Sequence, residues 1–149
     1  MSAQSLPAEA IGLPELAALA RAPMTDAASP LGELPYLLLR LAKSMPGLGA
    51  REEAQIGHWL RSQACPVIAL AEEGAHEPLQ QACDVVAADA ATLGTVLENI
   101  RYSPLAAMVL VQVLRVTENM TVEQALVVES LAYATLQNGP ELRRWLQAQ

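Results

Sequence analysis

Apolar positions recur at helical spacing along most of the chain, and two short apolar runs lack that spacing. Leu13–Arg21 reads as a short helix with Pro14 in its first turn. Around it, residues 1–31 are rich in Ala, Pro and small polar side chains, which predicts a flexible amino-terminal arm with a linker from Ala22 to Ser29. Pro35–Lys43 (PYLLLRLAK) has helical periodicity and is stopped by Pro46, Gly47 and Gly49. Arg51–Gln63 is a second helix in this region, with Ile56, Trp59 and Leu60 as its apolar stripe. Cys65–Ala71 and Cys83–Ala88 are short, apolar and bounded by breakers, so they read as strands. About a dozen residues separate them, enough for a crossover between parallel neighbours.

From Ala90 onward the pattern predicts helices alone. One runs to about Arg101, and the next is capped by Ser103 with Pro104 at its first position. Thr121-Val122-Glu123-Gln124 has the form of a capping box, and Asn138-Gly139-Pro140 separates that helix from a last one carrying Trp145 and Leu146. The expected architecture is a helix-dominated α/β fold: residues 32–149 form one domain, with two short parallel strands in 32–89 and a helical half in 90–149.

Composition narrows the class. The 149 residues are 52% hydrophobic and 17% charged, which favours a folded chain over a disordered one. Aromatics are scarce, with no Phe, so the core must be built from Leu, Val, Ala and Met. The net charge of −7, with nine scattered bases, argues against nucleic acid as a partner. No apolar stretch is long enough to span a bilayer, and no basic segment precedes an apolar run at the start. A cytoplasmic location with reduced cysteines is the expectation.

Candidate chemistry is sparse. No phosphate-binding glycine loop, nucleophile elbow or His/Cys ligand cluster occurs, and no metal or cofactor is expected. His58 and His76 fall on different elements. Cys65 and Cys83 each start a strand, where small buried cysteines are common and no cation activates them. The acidic tract from Glu72 to Glu77 reads as a solvated turn, with a ligand loop as the alternative.

Glu129 stands out. Rotated by about 100° per residue, it falls among Val122, Ala125, Leu126, Ala132, Tyr133 and Leu136, at the centre of an apolar face. A carboxylate there must be paired or shifted in pKa. The preceding helix offers Gln112 and Arg115, so one expectation is a buried Glu129–Arg115 or Glu129–Gln112 link. The other is a catalytic acid/base, with Tyr133 one turn away as a second catalytic candidate.

Two stretches resemble the crotonase superfamily of enoyl-CoA hydratases and isomerases. Cys65-Pro66-Val67-Ile68-Ala69-Leu70-Ala71, Gly74-Ala75 and Leu79–Asp89 are similar to the family's strand, oxyanion loop and "ACDLVVAAD" segment. Leu126–Leu146, with Glu129-Ser130-Leu131-Ala132-Tyr133 and Gly139-Pro140-Glu141-Leu142, resembles a helical segment of some hydratase/isomerase-like proteins. Family members place glycines after the strand, so that a backbone N–H stabilises the thioester enolate. Here His76-Glu77-Pro78 follows Gly74-Ala75, a degenerate oxyanion loop in which proline has no N–H and a carboxylate opposes an oxyanion. The family's second oxyanion segment, near "S-A-G-x-D", and the stretch with its catalytic acids are missing, which implies a shortened relative.

The resemblance implies an accessory or oligomerisation subunit, partnered by its own copies, by a full-length crotonase-type or acyl-CoA enzyme, or by both. The alternative is an enzyme that takes a CoA thioester and uses Glu129. A scaffold domain unrelated to CoA is the third reading.

Overall fold

The computed structural model describes residues 10–22, 33–43 and 48–148. Among them are β1 (Leu37–Leu41), β2 (Val67–Ala71) and β3 (Val85–Ala87). They form one parallel sheet in the order β1-β2-β3, with Leu39 opposite Ala69 and Ile68 opposite Val85. Ile11 bridges Leu39 on the far side of β1, donating to the Leu38 carbonyl and accepting from the Arg40 amide, each at 2.9 Å.

The helix expected over Pro35–Lys43 is therefore a strand from Leu37 to Leu41, and the sheet has three strands where two were expected. The cause is burial on both faces. Leu37, Leu39 and Leu41 point to one side and Leu38 to the other, so the strand reads as an apolar run broken only by the exposed Arg40. Such a run has no period of two to give it away. The expected stop at Pro46 and Gly47 lies outside the described residues.

Helices cover both faces. On one side α1 (Leu13–Arg21), α2 (Ala50–Arg61) and the short α3 (Glu77–Gln81) bury Leu16, Ile56, Leu60 and Leu79 against Leu39, Val67 and Ala69. On the other, α4 (Ala90–Tyr102) lays Leu93, Leu97 and Ile100 over Tyr36, Leu38 and Ile68. Asp89 caps α4 by accepting from the Thr92 amide at 2.7 Å, and that bond holds its carboxyl below the usual carboxylate range. Residues 10–22, expected within a flexible arm, are thus tied to the sheet, with Leu16 1% exposed. The rest of the expected arm, 1–9 and 23–31, lies outside the described residues.

Beyond the sheet, α5 (Pro104–Thr117), α6 (Val122–Gln137) and α7 (Pro140–Gln147) form the helical half. The capping box at α6 is present: the Thr121 hydroxyl accepts from the Gln124 amide, and the Gln124 side chain accepts from the Thr121 amide. Ser103, the expected side-chain cap of α5, makes no such bond. Glu141 does the work from α7, its two oxygens accepting from the Leu105 and Ala106 amides at 2.9 Å each. A carboxylate at a helix amino terminus satisfies orphan donors and complements the dipole. No helix among the described residues is long and apolar enough to cross a membrane.

Candidate functional site

Two regions carry the sequence candidates, and they lie on different parts of the fold. The first is the connection from β2 to α3. Gly74 has φ +76°, which a side chain would resist, and lets the chain turn so that the Ala75 amide donates to the Glu72 carbonyl at 2.9 Å. The Ala75 carbonyl accepts from the Gln80 side chain at 2.8 Å. His76 Nε2 lies 2.8 Å from Glu53 Oε2 on α2. Pro78, without an amide hydrogen, sits in the first turn of α3 beside Glu77. The Ala75 amide is thus taken within the turn, and the Glu77 carboxylate beside Pro78 would oppose a developing oxyanion.

Both cysteines are held as thiols. Burial raises the Cys65 pKa, and burial followed by the nearby Asp84 carboxylate pushes Cys83 up to about 12. Cys83 Sγ donates to the Leu79 carbonyl at 3.2 Å. His58 is exposed on α2. Among the described residues, no group of three or more His, Cys, Asp or Glu is placed to hold a metal ion.

The second region is the helical half, where α6 leans on α5. A groove of about 370 Å³ runs between them, walled by Leu110, Leu114, Ala132 and Leu136, with Glu129 and Tyr133 opening into it. Glu129 is the charged residue of that lining. A neighbouring hollow of about 260 Å³ shares Tyr133 and Leu136 and is closed by Leu142 and Trp145 of α7. The two make one apolar trough along α6.

The sequence placed Glu129 correctly on its helix but misassigned its partners. Arg115 turns the other way, toward the sheet. Its Nε donates to Asp84 Oδ1 at 2.9 Å, and its terminal nitrogens reach Asp84 Oδ2 and the Gln63 and Cys65 carbonyls. The side chain of Gln112 donates to the Ala64 carbonyl at 3.0 Å. Neither faces Glu129, which is exposed and has no ion-pair or hydrogen-bond partner among the described residues.

Helical projection assigns a residue to a face and says nothing about which neighbour that face meets. The most enclosed ion pair among the described residues is instead Asp84–Arg115, partly buried with side chains 12% and 13% exposed. Asp84 Oδ2 also accepts from the Val67 amide at 2.7 Å. Its signal in the sequence was a lone carboxylate opening an apolar strand.

No protein-family model matches this sequence, no curated protein matches it, and no solved structure matches it.

Proposed function

We propose that this chain is an assembly subunit of crotonase type, working beside a full-length acyl-CoA enzyme and not as a catalyst alone. The observation that carries the proposal is α6. Ten of its sixteen positions are Ala, Val, Leu or Tyr, yet no residue of the helix is buried. Val122 is 72% exposed, Leu131 67% and Leu126 56%. A helix apolar on several sides belongs inside a larger structure. Monomers rarely expose apolar patches beyond a few hundred Å². The turn at Gly74-Ala75-His76 supports the same reading, since its Ala75 amide is taken by the Glu72 carbonyl and Glu77 and Pro78 follow where an oxyanion would need amide donors.

The test has two arms. The purified chain should give no hydration, isomerisation or hydrolysis of short and medium acyl-CoA substrates. A full-length crotonase-type enzyme encoded beside it should form a stoichiometric complex with it. Turnover by the chain alone that survives re-purification overturns the proposal.

A second reading, a stand-alone enzyme on a CoA thioester, has one observation in its favour. Glu129 and Tyr133, one turn apart, open into the same apolar groove. Under this reading Glu129→Gln keeps the melting temperature and abolishes activity, whereas an active Glu129→Gln protein excludes it.

A further inference from the structure

Among the described residues, Arg143 and Glu129 of the helical half have no ion-pair partner. Arg115 is held by Asp84, and Arg144 lies 4.8 Å from the Tyr102 ring centre and donates to the Tyr102 carbonyl. Arg143 is different: its guanidinium has a single acceptor among the described residues, the Asn138 carbonyl at 3.0 Å. Glu129, in the apolar trough, has none. Arg143 on α7 and Glu129 on α6 are thus a cation and an anion without an ion pair among the described residues.

Their surroundings match. Residues three apart share one side of a helix. On α7, Arg143 is three residues from Leu146, which is 58% exposed. On α6, Glu129 is three residues from Leu126, 56% exposed. One helix offers a cation beside an apolar side chain, and the other an anion beside one.

The area is also sufficient. Leu110, Leu114, Val122, Leu126, Tyr133 and Leu146 are 56–72% exposed. Side chains of this size so exposed offer on the order of 700–800 Å², close to the roughly 800 Å² that each partner buries in a standard interface.

We propose that a second copy of this chain covers the α5–α6 trough in a two-fold dimer, each copy's Leu146 entering the other's trough and each Arg143 meeting the other's Glu129. The inference rests on the assembly reading above and names the first partner in it. Two-fold symmetry makes every such contact twice, so one complementary pair of patches suffices. An apolar surround excludes water from the two ion pairs, which then fix the register of the interface.

Sedimentation of the full chain across micromolar concentrations, with Glu129→Arg, Arg143→Glu and the double reversal, tests it. Both positions are exposed in the single chain, so the variants fold, and circular dichroism checks that they do. The wild type should be a dimer. Each single reversal should weaken it by at least about thirtyfold, as loss of a desolvated charge pair does. The double reversal should recover most of the loss.

Leu126→Ser, which changes no charge, should weaken the dimer independently. A dimer indifferent to both reversals, or a ring of three or more copies, overturns the proposal. A wild-type monomer that binds a full-length acyl-CoA enzyme overturns the dimer and leaves the assembly reading standing. A monomer that binds neither overturns both.

Discussion

Asp84 and Arg115 join the sheet to the helical half through paired nitrogen–oxygen contacts at the start of β2 and β3. The guanidinium also gathers the carbonyls of Gln63 and Cys65, and the carboxylate takes the Val67 amide. Few donors in this cluster are left over, which offsets the desolvation of a partly buried ion pair.

Breaking one side of this pair should be costly. Arg115→Met leaves Asp84 without its cation, and Asp84→Leu leaves Arg115 without its anion. Either should cost about 1.5–3 kcal/mol, the range for hydrogen bonds to charged groups. The double change Asp84→Leu/Arg115→Met should cost less than the sum of the two. Urea denaturation of the three variants, read as a double-mutant cycle, checks both statements.

Glu141→Ala removes two carboxylate–amide bonds at the start of α5. Loss of a cap costs about 1–2 kcal/mol, and Glu141→Gln should recover part of it because one amide oxygen still accepts. Hydrogen exchange should show the Leu105 and Ala106 amides losing protection first. If their protection is unchanged in Glu141→Ala, the cap is not what holds them.

With Arg115 committed to Asp84, Glu129 can be changed in the isolated chain at little cost. Glu129→Leu should shift stability by no more than about 0.5 kcal/mol, as exposed substitutions do. A loss several times larger, measured on the monomer at high dilution, would mean that Glu129 has a structural partner after all.

The thiols give a pH-dependent expectation. Cys83 has a folded pKa of about 12 against an ordinary 9.0, because burial opposes the thiolate. The folded state therefore holds its proton longer than the unfolded state does. Its contribution to stability is complete below about pH 9 and is lost as pH rises toward 12. Cys65, also raised by burial, acts in the same direction. Thiol titration with a disulfide reagent at pH 8 should be slow in the native protein and fast in denaturant. Rapid native labelling of Cys83 would contradict this placement.

Local signals in the sequence were legible where local chemistry decides. Thr121 and Gln124 close the capping box, and Pro104 and Pro140 open α5 and α7. The apolar runs at Cys65–Ala71 and Cys83–Ala88 contain β2 and β3. Where the neighbour decides, the sequence was mute. Leu37–Leu41 is a strand because helices lie on both of its faces, and no spacing within five residues reports that. Glu141 caps a helix 36 positions earlier, beyond any capping pattern that depends on proximity. Glu129 could be assigned to a face, but the orientation of Arg115 depended on where α5 sits over the sheet.

The uneven distribution of burial has a consequence for the life of the chain. Nearly every fully buried side chain belongs to the sheet or to α1–α4, whereas α5 buries Val111 and α6 and α7 bury none. Helices with so little interior open at a low free-energy cost, well below that of global unfolding. In the isolated chain, α6 and α7 would be the first segments offered to a protease. Cleavage of such an opened state follows its population. Any partner that binds the closed helices would lower that population by mass action. For the assembly subunit proposed above, abundance would then follow the supply of what it assembles with, surplus copies being cut first in α6 and α7.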